Sequence, residues 1–480
     1  MISNSPLQTD LYQLTMAAAY WQAGKAEQES VFQLYFRRLP FCGGYAIAAG
    51  LEQALEWLDA FRFGKEELHY LAGLRTRVGT PLFQRDFLDY LGDLRLKLDI
   101  DAIPEGDAVF AHEPLLRVQG PILHAQLVET ALLNILNFQT LVATKAARIC
   151  GAAADGAVVE FGYRRAQGPD GGLSASRAAY IGGCKGTSNV MAGYRYGIPV
   201  LGTHAHSWVM SFDEESEAFD RYAEAMPDNS TLLVDTYDTV GGVNHAIGTA
   251  RKLRERGHEL SGIRLDSGDL AWLSRKARTM LDAAGFPQVK IVASNDLDEH
   301  IIETLRHQGA QIDIWGVGTN LVTAADQPAL GGVYKLVALR REDGTWQARI
   351  KRSEQSAKSS IPGRLQIRRY EQDGMILADA IYDLDRGIPD GDVEIIDPGD
   401  PIRRKQIPPG TTFHDVLRPV MKNGLRLAAS ESLEAIRSRC RETMEKVHPG
   451  IARLVNPHTY PAGLEQGLHR ERERLLAEFR

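Results

Sequence analysis

The chain has 480 residues, of which 44% are hydrophobic and 24% charged, and its formal net charge is −7. This length predicts two or three structural units, and the acidic balance argues against a general nucleic-acid binder. Four scattered cysteines argue against a disulfide framework, and no apolar run approaches the roughly 18 residues that a membrane span needs. We therefore expect a cytoplasmic protein without a membrane or nucleic-acid partner.

The N-terminal segment has the patterning of a mixed α+β unit. Apolar residues at helical spacing predict helices over 9–21 and 46–61, and a β-favouring run at 30–36 separates them. Proline and glycine punctuate 103–118 and predict short strands and turns. Helical patterning over 123–147 then leads into a repeating region.

The repeating region contains six short apolar runs, each of which stops in charged, hydroxyl or glycine residues. The runs lie at 158–161, 199–201, 232–234, 263–265, 289–292 and 312–315. Buried parallel strands are continuous apolar runs, and helical stretches between them are typical of βα units. If the runs form a barrel, their polar ends lie on one rim, where such barrels keep their chemistry.

After residue 320 the pattern changes to strands and hairpins. A strand-like run covers 331–337, a hairpin is predicted around Asp343 and Gly344, and 351–364 is a basic loop that contains Lys358. These late strands need partners, which the N-terminal sheet can supply. We predict an irregular TIM-like α/β barrel with an α+β sandwich domain built from the N- and C-terminal segments. The predicted segments are 1–125, 126–340 and 341–480.

One run ends in a guanidinium, two carboxylates and a hydroxyl, over residues 264–269. Arg264 can bind phosphate oxygens in a forked geometry, while Asp266 and Asp269 can accept sugar hydroxyls or hold a hard cation. The alternative is a structural ion network in which Arg264 pairs with one of these carboxylates.

Two glycine-rich segments are weaker signals for phosphate binding. Residues 316–320 offer backbone N–H groups unblocked by side chains, although a tight turn has the same pattern. Residues 182–187 lack the spacing of a Walker A loop, so any ATP must bind elsewhere.

His204 and His206 lie two residues apart, so in an extended segment only one of them can point into a given site. They are therefore not a natural metal pair. A strand-end histidine can be a hydrogen-bonded structural residue or a reactive base, and Asp235 or Asp238 could orient a reactive imidazole.

Five segments, in order, resemble the nicotinate phosphoribosyltransferase family. They lie at 9–13, 160–168, 202–207, 264–269 and 316–320, and the resemblance continues to 454–458. It implies synthesis of nicotinate mononucleotide from nicotinate and phosphoribosyl pyrophosphate in NAD biosynthesis. It also implies ligase-type coupling to ATP hydrolysis through a transient phosphohistidine, with Mg²⁺, in a homodimer whose active sites lie at the subunit interface.

The resemblance also assigns residues. His206 is the expected phosphohistidine, with Asp235 and Asp266 as catalytic residues and Mg²⁺ ligands. Tyr12 of the partner subunit and Phe161 are expected to sandwich the pyridine ring. The expected substrate-binding set is Tyr12, Phe161, Arg164, Arg165, Thr187, Ser188, Ser207, Arg264, Asp269, Asn295, Gly316, Gly318 and Thr319.

Ser188 bears on substrate choice, because the related nicotinamide enzyme has an aspartate there that accepts hydrogen bonds from the amide. A serine is neutral and can donate to the nicotinate carboxylate. Nicotinamide-specific and quinolinate phosphoribosyltransferases are the nearest alternatives. More remote ones are a barrel aldolase using Lys185 or Lys290 as a Schiff base, and a regulatory protein that binds a phosphorylated metabolite.

Overall fold

The computed structural model describes residues 4–351, 360–389 and 391–478. Its contacts divide the chain into two compact units. The first unit combines 1–141 with 329–480, and the second is 142–328. Lys358 of the predicted basic loop lies outside the described residues. No helix among the described residues is long and apolar enough to cross a membrane.

The N-terminal part of the chain alternates helices with short strands. Its helices are α1 (Leu11–Gln22), α2 (Leu51–Ala60), α3 (Lys65–Gly73), α4 (Arg85–Asp93), α5 (Ile122–Leu127) and α6 (Glu129–Ala153). Its strands are β1 (Glu29–Phe36), β2 (Ala46–Ile47), β3 (Asp99–Ala102), β4 (Ala108–Val109) and β5 (Pro114–Pro121). The helices predicted from apolar spacing form because that spacing gives each one a face to bury, as Leu51, Leu55 and Leu58 do in α2.

The second unit alternates strands and helices along the chain. Its strands are β6 (Ala157–Glu160), β7 (Gly186–Thr187), β8 (Thr231–Leu233), β9 (Gly262–Leu265), β10 (Lys290–Ala293) and β11 (Ile314–Val317). Its helices are α7 (Gly168–Ile181), α8 (Val190–Tyr196), α9 (His206–Val209), α10 (Glu215–Ala225), α11 (Thr239–Glu255), α12 (Leu270–Ala283), α13 (Glu299–His307) and α14 (Thr319–Val322).

The C-terminal part returns to the first unit and is mostly β-structure. Its strands are β12 (Gly332–Arg340), β13 (Trp346–Ala348), β14 (Leu365–Gln372), β15 (Met375–Asp383), β16 (Val393–Ile396), β17 (Arg404–Ile407), β18 (Thr412–Asp415), β19 (Arg418–Lys422), β20 (Leu425–Arg426) and β21 (Ala462–Glu465). Its helices are α15 (Leu433–Lys446), α16 (Pro449–Ala452) and α17 (Gln466–Ala477).

The first unit contains a seven-stranded sheet drawn from both ends of the chain, in the order β13-β12-β1-β5-β3-β19-β20. Strand β12 is antiparallel to β1, and β19 is antiparallel to β3. A six-stranded sheet, β17-β16-β21-β15-β14-β18, completes the unit. The prediction that the late strands pair with the N-terminal sheet is confirmed. Because β12 belongs to this sheet, the second unit ends before the predicted limit of 340.

The second unit is built on a six-stranded sheet in the order β7-β6-β11-β10-β9-β8. Every neighbouring pair of strands is parallel, and most residues of the strands are buried. The predicted α/β arrangement is therefore confirmed. Pairing among the described strands stops at β7 and β8 and does not close a ring, so the TIM-like closure remains an expectation.

One of the six predicted strands is wrong. Residues 199–201 form only an isolated bridge, between Val200 and Thr187, and β7 takes the place expected for that run. Val200 and Leu201 are 48% and 43% exposed, so the run is not a buried strand. Pro199 has no N–H to donate, which limits the segment to a short edge beside β7.

A buried ion cluster lies in the first unit. Both carboxylate oxygens of Asp379 accept hydrogen bonds from Arg369 at 2.7 to 3.1 Å, and the Tyr460 hydroxyl donates to the same carboxylate at 2.8 Å. The Phe110 N–H donates to Glu113 at 2.8 Å, and Glu113 is fully buried. Burial, followed by the negative charge of Asp379, raises the pKa of Glu113 well above its ordinary value.

We expect Glu113→Gln to gain stability relative to wild type as the pH rises above the ordinary pKa of a glutamate, because the amide mimics the protonated acid and cannot ionise. Because folding raises the pKa of Glu113, the protonated acid stabilises the folded wild-type protein. This stabilisation is fully present below the pKa that Glu113 has in the unfolded chain, and it is lost as the pH rises through the pKa of the folded protein. In that window the variant's advantage should grow by up to about 1.4 kcal/mol per pH unit. Urea unfolding at several pH values measures the difference in the free energy of unfolding. Glu66→Gln, at an exposed position of α3, is the control. A difference independent of pH would contradict this prediction.

Candidate functional site

The carboxyl ends of the parallel strands in the second unit form one edge, which we call the carboxyl rim. Phe161 follows β6, Ser188 follows β7, Asp235 lies two residues after β8, Asp266 follows β9 and Ser294 follows β10. In parallel α/β sheets this edge is where ligands bind. The predicted site residues of the second unit are therefore carried on one edge of one sheet.

An aromatic ring and a guanidinium lie side by side on the rim. A Cβ on Gly316 would lie 2.6 Å from Cδ2 of Phe161, so the ring rests directly on the backbone of β11. The Arg264 guanidinium carbon is 5.8 Å from the centroid of the same ring. Only glycine at position 316 leaves room for the ring, which explains the glycine without a phosphate-binding role.

Arg264 and Asp266 form the ion pair that was the structural alternative for this segment. Arg264 Nη2 donates to Asp266 Oδ1 at 2.9 Å, and Arg264 Nε donates to the Ser294 hydroxyl at 2.8 Å. The Ser294 hydroxyl also bonds to Asp266 Oδ1. Burial alone would raise the pKa of Asp266, but the Ser294 hydrogen bond and the Arg264 charge outweigh it and hold the pKa below its usual value. The carboxylate is therefore ionised at neutral pH.

Asp235 ties the β8 and β9 ends together and keeps one oxygen unpaired. Its Oδ2 accepts hydrogen bonds from the Asp266 N–H at 2.8 Å and the Ser267 hydroxyl at 2.6 Å. Its Oδ1 is buried and has no hydrogen-bond partner among the described residues. A buried carboxylate oxygen without a donor is costly, and a bound cation or proton would satisfy it.

The two histidines have different surroundings. His204 is buried against Tyr222, and its Nε2 accepts a hydrogen bond from the Leu233 N–H at 3.2 Å. That bond places the ring proton on Nδ1, which faces the Ala205 carbonyl at 3.3 Å, and burial lowers the pKa of His204. His204 is therefore a hydrogen-bonded structural residue.

His206 begins α9, and its side chain is 40% exposed. Its Nδ1 lies 3.2 Å from the Thr236 hydroxyl, and its Nε2 lies 3.7 Å from Asp266 Oδ2. This imidazole is accessible, and a carboxylate and a hydroxyl flank its two nitrogens. Of the two histidines, His206 has the surroundings that a reactive group needs.

The remaining predicted residues of the second unit occupy several environments. Asp269 caps α12 by accepting from the Trp272 N–H at 3.0 Å, and exposed Asn295 has a positive φ of 111°. Arg164 and Arg165 are exposed. Neither guanidinium has a hydrogen-bond or ion-pair partner within the described part of the chain. The others are exposed Ser207, and Gly318 and Thr319 at the start of α14.

Tyr12 lies in the first unit, on α1. Its side chain is half exposed, and its hydroxyl donates to Glu129 Oε1 at 3.3 Å. Burial, followed by the Glu129 charge, raises the pKa of Tyr12, so the ring stays a neutral phenol at physiological pH. The accessible ring remains available for stacking.

Sequence reasoning missed Ser294 and Thr236 as members of the site. Ser294 bonds both Arg264 and Asp266, and Thr236 lies beside His206. Both residues are in the polar tails of the predicted runs, adjacent to the residues that were selected. Their position at a strand end was the available signal; the direction of each side chain required the structure.

Glu160, the last residue of β6, was also missed. It is fully buried, and its carboxylate accepts hydrogen bonds from the Gly162 N–H and from the hydroxyls of Ser176 and Thr187. Thr187 is only 1% exposed, and its hydroxyl is engaged in this network. A direct contact of Thr187 with substrate therefore stays a prediction that requires these bonds to open.

Comparison with known proteins places these residues in a family context. Models of the nicotinate phosphoribosyltransferase N-terminal domain, family and C-terminal domain match residues 7–137, 157–371 and 364–472. A nicotinate phosphoribosyltransferase of Bacillus subtilis is 51% identical over 76% of this chain and 72% of its own length. One from Mycobacterium tuberculosis is 40% identical over 97% and 93%, respectively.

Solved structures agree with these matches. Human nicotinic acid phosphoribosyltransferase has a TM-score of 0.85 and 32% identity, covering 97% of this chain and 99% of the human one. Nicotinate-nucleotide pyrophosphorylase from Pyrococcus furiosus has a TM-score of 0.70 at 22% identity, covering 92% and 95%, which shows a common fold alone.

Proposed function

This chain belongs to the nicotinate phosphoribosyltransferase family, and we propose that it joins nicotinate to the phosphoribosyl group of phosphoribosyl pyrophosphate in NAD biosynthesis. The observation that carries the proposal is the Phe161 ring resting on Gly316 beside the Arg264 guanidinium. An aromatic face suits a pyridine ring, and a guanidinium suits the phosphates of the donor. The two substrates therefore have adjacent binding groups on the carboxyl rim.

The chemistry requires little covalent participation by the protein. The bond from the ribose C1 to pyrophosphate breaks as the pyridine nitrogen bonds to C1, so positive charge develops on the sugar and negative charge on the leaving group. Asp266 is ionised and can hold a ribose hydroxyl, while Arg264 stabilises phosphate charge. For this, the Arg264–Asp266 ion pair must open or reorient when the donor binds.

We further propose that ATP hydrolysis is coupled to this synthesis through His206. An imidazole nitrogen of His206 attacks the γ-phosphorus of ATP, ADP leaves, and water later releases the phosphate. Accessibility of the ring and the nearby Asp266 carboxylate support this role. The phosphohistidine would add about two negative charges to the rim and reorganise it. In this proposal ATP binds at the carboxyl rim beside His206, so it does not need a Walker A loop, whose spacing residues 182–187 lack.

Mg²⁺ fits the carboxylates of the site. Asp235 Oδ1 is buried without a partner, and Asp266 lies at the adjacent strand end. Mg²⁺ is commonly held by one or two carboxylates together with substrate phosphates, and it offsets the negative charge of those phosphates. We propose that Asp235 and Asp266 hold the ion when the phosphorylated substrates are present.

The active site is proposed to be completed by a second copy of the chain. Tyr12 of the partner subunit would close the pyridine ring against Phe161, which the half-exposed ring of Tyr12 permits. Arg164 and Arg165, exposed on the turn after Phe161, are proposed to contact the pyridine substrate. The proposed assembly is a homodimer in the cytoplasm.

One assay tests the proposal and its alternatives. The protein is incubated with Mg²⁺, ATP and phosphoribosyl pyrophosphate, together with nicotinate, nicotinamide or quinolinate, and mononucleotide and ADP are followed. We expect nicotinate mononucleotide with concurrent ADP. Product from nicotinamide or quinolinate alone would overturn the substrate assignment, and product without ADP would overturn the coupling.

We expect Gly316→Ala to raise the KM for nicotinate, because the new Cβ would lie 2.6 Å from Phe161 Cδ2 and displace the ring. Overpacking of this kind costs about 1 to 3 kcal/mol, so the KM should rise roughly tenfold or more. Steady-state kinetics with varied nicotinate measure it. Gly248→Ala in α11 is the control, since a Cβ there meets open space. An unchanged KM would exclude Phe161 from the pyridine site.

A further inference from the structure

A buried polar network lies behind the carboxyl rim of the second unit. The carboxylate of Glu160 accepts hydrogen bonds from the Gly162 N–H, from the Ser176 hydroxyl at 2.8 Å and from the Thr187 hydroxyl at 2.5 Å. Asn189 extends the network, donating its backbone N–H to the Thr187 hydroxyl at 2.9 Å and its amide to the Ser176 hydroxyl at 3.1 Å. All four side chains that form the network are at most 2% exposed.

The network joins two segments that carry different parts of the proposed pyridine site. On one side, Glu160 holds the backbone turn that begins with Phe161 and Gly162. On the other side, its carbonyl accepts from the Ser188 N–H at 2.9 Å, and its carboxylate holds Thr187 next to Ser188. One residue therefore bonds both the segment bearing the stacking ring and the segment bearing the carboxylate donor.

From these contacts we infer that Glu160 is a positioning residue that sets the spacing between Phe161 and Ser188 and thereby the affinity for nicotinate. The inference rests on the proposed function. Glu160 does not touch the substrate; it acts through the two segments that do. It carries no part of the binding of the ribosyl donor, whose proposed groups Asp235, Arg264 and Asp266 lie at the ends of β8 and β9.

The chemistry of the network explains why a carboxylate is needed. Two hydroxyls and one backbone N–H point at it, and an ionised acceptor forms hydrogen bonds roughly twice as strong as a neutral one does. An amide would present its own N–H groups to one of these donors, so a donor would have to turn away. Burying a carboxylate that has only uncharged donors costs stability, but the satisfied network holds the neighbouring segments rigidly in place.

The test compares Glu160→Gln, which keeps the shape, with Ser176→Ala, which removes one donor and leaves Glu160 in place. We expect Glu160→Gln to raise the KM for nicotinate roughly tenfold, because displacements well below 1 Å weaken an oriented site by this order. The KM for phosphoribosyl pyrophosphate should change less than about twofold. Ser176→Ala should shift the nicotinate KM in the same direction, by a smaller factor.

Asp379→Asn is the matched control, because it also removes a buried carboxylate charge but lies in the first unit and is not a residue assigned to the proposed site. This variant should lose thermal stability, but its KM for nicotinate should equal that of wild type. Equal shifts of both substrates' KM values in Glu160→Gln, or no shift in nicotinate KM, would overturn the inference. If Glu160→Gln fails to fold, the same comparison of the KM for nicotinate with the KM for phosphoribosyl pyrophosphate in Ser176→Ala decides. A wild-type protein that makes no nicotinate mononucleotide would instead refute the proposed function.

Discussion

Replacing Ser188 with aspartate is expected to lower kcat/KM for nicotinate by about 100-fold or more, since like charges in contact cost several kcal/mol and each 1.4 kcal/mol is tenfold. Ser188 is half buried at the rim, and its backbone N–H donates to the Glu160 carbonyl at 2.9 Å. An aspartate there would bring a negative charge toward the nicotinate carboxylate. Water cannot screen that repulsion fully in a partly buried site.

The same substitution should harm nicotinamide far less, because the amide is neutral and its N–H groups can donate to the new carboxylate. Steady-state kinetics with each pyridine in turn give the ratio of kcat/KM values. Ser188→Asn is the matched control, since it has the shape of aspartate without the charge, and its loss should be about tenfold at most. If nicotinate turnover by Ser188→Asp equals that of wild type, Ser188 does not face the substrate carboxylate.

Replacing His206 with alanine is expected to abolish the acid-labile phosphoenzyme and to lower coupled ATP hydrolysis by about 10³-fold or more, the scale seen when a nucleophile is removed. His206 is accessible, and its Nε2 lies 3.7 Å from Asp266. No other side chain in the proposal has a nitrogen available for phosphoryl transfer. Radiolabelled ATP, with acid and hydroxylamine treatment of the labelled protein, measures the effect.

His204→Ala is the matched control for that experiment. It removes the acceptor of the Leu233 N–H, so the variant should lose about 1 to 3 kcal/mol of stability. Its phosphoenzyme should nevertheless form. Labelling of His206→Ala at the wild-type level would exclude His206, and loss of label in a folded His204→Ala would show that the wrong histidine had been selected.

Much of the fold follows from sequence patterns, and the exceptions have physical causes. Five of the six apolar runs form buried parallel strands, because a run enclosed by helices must be apolar on both faces. The run at 199–201 has the same local composition but lies at an edge with an exposed Val200, which no local pattern distinguishes. Whether the parallel strands close into a ring likewise depends on contacts that periodicity does not encode.

The site divides in the same way. The positions of Asp235, Asp266 and Phe161 at strand ends could be predicted, because the carboxyl ends of parallel strands meet at one edge. The sequence does not reveal that Gly316 makes room for a ring rather than only for phosphate, since that contact joins β11 to the end of β6. It also does not separate His204 from His206 by local composition.

By itself, the sequence determined the alternation of strands and helices, the edge that carries the polar groups and the family resemblance, because these depend on local periodicity and on the order of motifs. The tertiary structure decided which groups are engaged. It paired Arg264 with Asp266, buried His204 and left His206 accessible, and made the Glu160 carboxylate the acceptor of three hydrogen bonds. The direction and burial of a side chain depend on residues distant in the chain, so only the folded protein fixes them.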